Sequence, residues 1–210
     1  RLRGTDLFLK LETLQPIGSF KIRGAQNVLR QLAPSEIGEG VWTVSAGNAA
    51  QGVALAARVA GVPCSVMVSD TAPATKLHAI ERLGATIVPA SYDECWRTVE
   101  AHGSDRMRGY FIHPFDDHNF IAGHGTMGLE ILEDAPDTRT VLAGIGGGGL
   151  IVGVGSAVKA LKPDVKIIGV EPETSAPAAL SHKMGSPQVF KDWKSSFVDG
   201  AGGQSMFPRM

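Results

Sequence analysis

The stretch VLAGIGGGGLIVGVGSAVKAL, residues 141–161, reads as a short buried strand over Val141–Ile145, a run of glycines, and a helix over Leu150–Leu161. Pro163 stops the helix, and the apolar run Lys166–Val170 supplies the next strand. Strand, crossover helix and strand in that order make a parallel pair, so the fold class is α/β. Ligands of open α/β sheets sit beyond the carboxyl ends of the strands, which is where this glycine loop lies. A turn needs only a glycine or two; the unbroken run Gly146–Gly149 is entropically costly to order, a cost that a bound group can offset. With no Cβ in the way, the amides of the loop can close on an oxyanion, and phosphate is the obvious one. The same loop satisfies G-x-G-x-x-G at Gly144, Gly146 and Gly149, and Glu171 stands where a ribose-binding acid is expected. On this segment alone, a nicotinamide-dinucleotide module is as good a reading.

Outward from this unit, short strands and amphipathic helices alternate along the chain. Strands are expected at Leu7–Leu11, Val41–Val44, Ser65–Val68, Thr86–Pro89 and Tyr110–His113. Helices are expected at Ile22–Leu32, Ala49–Ala60, Ala74–Leu83, Tyr92–His102 and Gly125–Leu132, with a shorter one near Ala176–Lys183. A chain of 210 residues with 43% hydrophobic and 20% charged residues can bury a sizeable core. Its formal charge of −1 offers no basic surface for nucleic acid, and no apolar run approaches the ~20 residues that span a bilayer. What remains is a protein with a small-molecule ligand. Cys64 and Cys95 are too few for a disulfide framework and lack metal-ligand spacing, so reduced thiols and a cytoplasmic location are expected. The start at Arg1 and the stop at Met210, just after the Gly200–Gly203 loop, point to sequence missing at both ends.

Two further loops are chemically unusual. Gly18-Ser19-Phe20-Lys21-Ile22-Arg23-Gly24-Ala25 opens the first helix with a lysine, and the helix macrodipole there disfavours a cation. Such an amine loses its proton more readily, and a neutral amine is what an aldehyde cofactor needs. Ser45-Ala46-Gly47-Asn48-Ala49 joins a buried strand to the second helix. Ser45 and Asn48 are both N-cap candidates there, and the free amides of the loop suit a carboxylate. A plain exposed lysine and a plain capped helix are the bland alternatives. A nicotinamide site gives no reason for either loop, whereas a pyridoxal-phosphate site uses a lysine, a contact to ring and carboxylate, and a phosphate cup.

Taken together and in order, these loops resemble the fold-type II pyridoxal-phosphate (PLP) enzymes, most closely the serine/threonine dehydratase and serine racemase branch. The resemblance rests on Lys10-Leu11-Glu12, Gln15-Pro16, Gly18 to Ala25 with its Lys-Ile-Arg-Gly core, and Ser45-Ala46-Gly47-Asn48. It continues through Gln51-Gly52-Val53-Ala54, Ile121-Ala122-Gly123, Gly125-Thr126 and Gly146–Leu150. It implies a twisted parallel sheet with flanking helices, arranged as in tryptophan synthase β. A large PLP domain would comprise residues 1–40 and 119–210, and a smaller inserted α/β domain residues 41–118. It also implies that Lys21 carries the cofactor and removes the substrate α-proton, with Phe20 packing beside it and Asn48 bonding the ring hydroxyl oxygen. Ser45, Ala46, Gly47, Asn48 and Ala49 would hold the substrate carboxylate, and the amides of Gly146, Gly147, Gly148, Gly149 and Leu150 the phosphate. The reaction implied is dehydrative deamination of L-threonine, L-serine or a related β-hydroxy amino acid to a 2-oxo acid and ammonia, in a homodimer or higher homo-oligomer.

Departures from the family pattern refine this. Racemases of the branch carry a serine where Ala46 stands, and alanine cannot move a proton, so elimination is favoured over racemisation. Ala49 replaces the common histidine and leaves room for a larger substrate, and it is shared with threonine-synthase-like loops, which keeps that chemistry open. Glu171-Pro172 matches a divalent-cation strand end in some relatives, but Pro177 stands where the second acid belongs, so no metal is expected. A non-catalytic remnant that binds PLP or a partner is a third reading. His113, His118 and His124 are expected to be satisfied or solvent-facing rather than ligands. Asp116 and Asp117 read as a loop turn, and Trp42, Trp96 and Trp193 as packing or partner surface.

Overall fold

The strand Val41–Val44 (β1) is buried along its whole length, as a run with no exposed face must be at the centre of a covered parallel sheet. In this computed structural model, which describes residue 4 and residues 6–198, 200–201, 203–207 and 210, β1 pairs on one side with Cys64–Ser69 (β2). On the other side it pairs with the two-residue strand Tyr110–Phe111 (β4). Thr86–Ala90 (β3) adds to β2, so the order is β3-β2-β1-β4, all parallel. A second parallel sheet pairs Thr140–Gly144 (β5) with Lys166–Val170 (β6). The parallel α/β architecture expected from the sequence is therefore present, as two sheets of four and two strands.

Helices Lys21–Gln31 (α1), Asn48–Ala60 (α2), Ala74–Glu81 (α3) and Tyr92–Glu100 (α4) precede β4. His118–Asp134 (α5), Gly149–Leu161 (α6) and Pro177–Met184 (α7) follow it. α1 packs on both α2 and α5, and so links the four-stranded sheet to the α5–α6 pair. Most of the core beside the four-stranded sheet comes from α1, α2 and β2, with Ala25, Val28, Ala50, Val53, Ala57 and Val66 fully enclosed. Under the extended N-terminal segment, Arg23 ties three elements together. Its guanidinium donates to both carboxylate oxygens of Glu12, at 2.8 and 2.9 Å, and of Glu130, at 2.7 and 2.8 Å.

Four expectations need correction. Leu7–Leu11 forms no strand; it is extended and exposed, has no strand partner among the described residues, and leads into a single 3-10 turn at Glu12–Leu14. α5 begins at His118, not Gly125. Asp117 is its N-cap, with its carboxylate accepting the Phe120 N–H at 2.8 Å, so the Asp116-Asp117 pair is not a plain loop turn. The glycines of α5 are contact points: a Cβ on Gly123 would lie 2.5 Å from the Arg23 carbonyl oxygen of α1. β4 stops at Phe111, because the backbone of His113 turns away into the loop that builds the site.

Candidate active site

Lys21 is the first residue of α1, as its glycine-flanked sequence suggested. Its Nζ donates to the Pro114 carbonyl oxygen at 2.5 Å and lies 5.4 Å and 5.1 Å from the ring centroids of Phe20 and Phe120. Although part of the residue's surface is still exposed, the amine end is enclosed, and burial lowers its pKa to about 8. The shift has the direction expected from a helix start, but desolvation is its cause. Ser19, buried behind it, accepts the Lys21 backbone N–H with its hydroxyl.

The Pro114 carbonyl brings the lysine to the glycines. Pro114 is followed by Phe115, whose ring lies flat on the glycine loop: a Cβ on Gly147 would fall 2.3 Å from Phe115 Cγ, and one on Gly149 would fall 2.7 Å from the Phe115 carbonyl oxygen. The loop itself is a prepared anion cradle. Gly148 adopts a left-handed φ of 91° as the N-cap of α6, and the Val152 N–H closes the first turn on its carbonyl. The N–H groups of Gly146, Gly147, Gly148, Gly149 and Leu150 donate to no acceptor among the described residues, which is the requirement for holding a phosphate at a helix start. The Met210 side chain lies against Gly148 at the rim.

The asparagine loop approaches the same lysine from the four-stranded sheet. A Cβ on Gly52, one turn into α2, would stand 3.1 Å from the backbone of Lys21, so the start of α2 abuts the start of α1. Neither candidate caps α2 with its side chain: the N-cap is Gly47, and Ser45 Oγ instead accepts the Gly47 N–H at 3.1 Å. Asn48 is exposed and its side chain makes no hydrogen bond with another described residue, which leaves its carboxamide available. Ala46 and Gly47 are half-buried and Ala49 is buried beneath them.

His113, a satisfied imidazole as expected, organises the loop between β4 and α5 together with His102, which sequence reasoning passed over. His113 Nδ1 accepts the Asp116 N–H at 2.8 Å and the Phe115 N–H at 3.3 Å, so its proton is on Nε2, which donates to the Val99 carbonyl at 3.2 Å. This neutral imidazole holds Pro114 and Phe115 in place. His102, in the left-handed region at φ 54°, places Nε2 3.2 Å from the buried Asp116 carboxylate and stacks on His113. His124 is neither satisfied nor solvent-facing: it is fully buried, and neither ring nitrogen has a partner among the described residues.

A family described as "Pyridoxal-phosphate dependent enzyme" matches residues 1–210. The chain belongs to the pyridoxal-phosphate dependent enzymes. It is 41% identical to the L-threonine ammonia-lyase of Thermotoga maritima over 199 residues, 94% of this chain and 49% of that one. It is 39% identical to a serine racemase of Oryza sativa subsp. indica, over 87% of this chain and 54% of the relative. Its structure is similar to the processed form of threonine deaminase isoform 2 from Solanum lycopersicum, with a TM-score of 0.83 and 35% identity over 93% of this chain and 57% of the other. The chain thus spans about half the length of the relatives it matches.

The fold class is that of this PLP family, and the cofactor is pyridoxal phosphate. The residues present fit it: a deprotonatable amine and a row of unpaired glycyl amides meet at the loop 113–117, and the helix that begins at Asn48 abuts the backbone of that lysine. The dinucleotide reading of Gly144, Gly146 and Gly149 is set aside. Its ribose acid, Glu171, spends both carboxylate oxygens on the N–H groups of Ala178 and Ala179 at the start of α7. No helix among the described residues is long and apolar enough to cross a membrane.

Proposed function

We propose that this chain forms the cofactor- and substrate-binding part of an ammonia-lyase that removes water and then ammonia from L-threonine, L-serine or a related β-hydroxy amino acid. What carries the reading is the enclosed Lys21 amine, bonded to the carbonyl just before Phe115, whose ring covers Gly147 and whose backbone lies against Gly149. Bound pyridoxal phosphate supplies an electron sink for negative charge at the substrate α-carbon. Lys21 binds the cofactor aldehyde and takes the α-proton at Nζ; a pKa of about 8 leaves a usable neutral fraction near pH 7.5. The amides of Gly146 to Leu150 orient the phosphate, and Asn48 bonds the ring hydroxyl oxygen. The loop Ser45 to Ala49 holds the carboxylate. Ala46 has no proton to return from the opposite face, so departure of the β-hydroxyl is favoured over racemisation.

In this reading residues 1–40 and 119–210 form the large domain and residues 41–118 the small one. Movement of the small domain closes the asparagine loop over the substrate and excludes water. The assembled protein is cytoplasmic and a homodimer or larger homo-oligomer. The test is addition of pyridoxal phosphate followed by borohydride. The expected result is a visible band that borohydride bleaches with covalent label on Lys21, and ammonia release from L-threonine or L-serine that Lys21→Ala abolishes. Label elsewhere, or none, refutes the Lys21 assignment. Similarity to a serine racemase keeps one competing product in view, and D-serine formation at a rate matching ammonia release would refute the role given to Ala46.

A further inference from the structure

We infer that His124 is a positioning residue for Lys21, acting through the phenyl rings of Phe20 and Phe120. The imidazole of His124 meets Phe20 edge-to-face, with centroids 4.8 Å apart and planes at 79°. It meets Phe120 in the same way, at 5.0 Å and 77°. The same two rings flank Lys21 Nζ at 5.4 Å and 5.1 Å, so the histidine and the amine share both of their aromatic neighbours.

His124 is fully buried, and both ring nitrogens lack partners among the described residues. Burying an imidazole in that state is costly, and an aliphatic side chain would avoid the cost. The ring must therefore provide what an aliphatic chain lacks, a flat edge whose N–H can lie against phenyl faces. Its size is also selected. It sits in a slot between α1 and α6 where a Cβ on Gly24 would come within 2.7 Å of His124 Cε1, and one on Gly153 within 2.9 Å of His124 Cβ. A five-membered ring fits this slot, and larger aromatic side chains would crowd it.

The charged groups that face His124 are Lys21 and Arg23, both on α1, and the Arg23 guanidinium is already committed to Glu12 and Glu130. Burial first, and these charges second, hold the imidazole neutral, so it adds no repulsion beside the amine. Pinned by that ring, Phe20 and Phe120 keep water from Lys21. Without it the phenyls gain freedom, water reaches the amine, and the lysine returns toward ordinary behaviour.

As a statement about catalysis this rests on Lys21 carrying the cofactor, but its test does not need the cofactor. Acetic anhydride labels lysines only in their neutral form, so acylation of Lys21 followed by peptide mass spectrometry across pH 6–11 reads its titration in the free protein. In His124→Leu the midpoint is expected to rise by about one pH unit, with acylation at pH 7.5 falling about tenfold. Phe20→Leu is expected to do the same, and the double variant to match Phe20→Leu alone, because both act through one contact. His124→Gln, polar but not aromatic, serves as a second replacement if the leucine variant fails to fold, and is expected to behave as His124→Leu. An unchanged midpoint in a folded variant, or effects that add in the double variant, overturns the assignment of His124. Failure of borohydride to label wild-type Lys21 overturns instead the reading of Lys21 as the cofactor's partner.

Discussion

Replacing Lys21 by methionine should make the protein without cofactor more stable at neutral pH and less stable at high pH. In the unfolded chain the amine titrates near 10.5, whereas burial lowers it to about 8 in the fold. Below about pH 8 both states are charged, and the fold bears the whole penalty of an enclosed ammonium. At about 1.36 kcal/mol per factor of ten, the difference is worth at most about 3 kcal/mol, reduced by the part of the residue that still reaches water. Methionine keeps the apolar stem beside Phe20 and Phe120 but loses the bond to the Pro114 carbonyl, which costs roughly 1–2 kcal/mol. The net gain expected at pH 6.5 is therefore about 1 kcal/mol. Between pH 8 and 10.5 the folded wild-type amine sheds its proton while the unfolded one keeps it, so wild-type stability rises with pH and the advantage of the variant disappears. Near the upper end only the lost hydrogen bond remains, and the sign reverses. Urea titrations at pH 6.5, 8 and 9.5, followed by the fluorescence of the buried Trp42, measure this directly. A stability difference that does not change with pH, or a variant already weaker at pH 6.5, would refute a desolvated amine at Lys21.

Three further outcomes follow from particular contacts. Arg23→Met removes the bidentate partner of both Glu12 and Glu130 and should cost about 2–3 kcal/mol in urea titrations at pH 7. Glu130, held down to about 2 chiefly by Arg23 and then by Lys10, contributes stability present above 4.5 and lost as pH falls toward 2; the variant should lose the larger part of that acid-limb slope, keeping the share due to Lys10, and an unchanged slope would count against the bridge. Gly147→Ala places a methyl 2.3 Å from Phe115 Cγ and should cost about 1–3 kcal/mol while weakening pyridoxal-phosphate binding, as read by melting and by titration of the visible band. His102→Gly relieves roughly 1–2 kcal/mol of left-handed strain but leaves the buried Asp116 carboxylate without its imidazole, a larger loss, so a net destabilisation of about 1 kcal/mol is expected from thermal melts.

Much of this fold was legible because its signals are local. Val41–Val44 and Lys166–Val170 form the strands expected from their apolar runs, and α6 starts within one residue of its expected position after the glycine loop. Periodicity and punctuation report the conformation of a few consecutive residues, which is why they worked there. They failed where a long-range partner decides. Leu7–Leu11 has strand-like residues, but a strand is a pairing, and no described residue pairs with it. Helix α5 was expected only from Gly125, but it begins at His118 and runs through Gly123, where close contact with α1 outweighs the weak helix propensity of glycine.

The candidate site divides in the same way. That a lysine opens one helix and a run of glycines precedes another is written in the order of residues along the chain, and it determined the family and the chemistry to look for. The Pro114 carbonyl as the acceptor of that lysine, Phe115 as the cover of the glycine loop, and His124 as an unpartnered ring beside both phenyls could come only from the tertiary structure. Burial, and with it the lowered pKa of Lys21, depends on which distant segments exclude water, and no window of sequence contains both sides of such a contact.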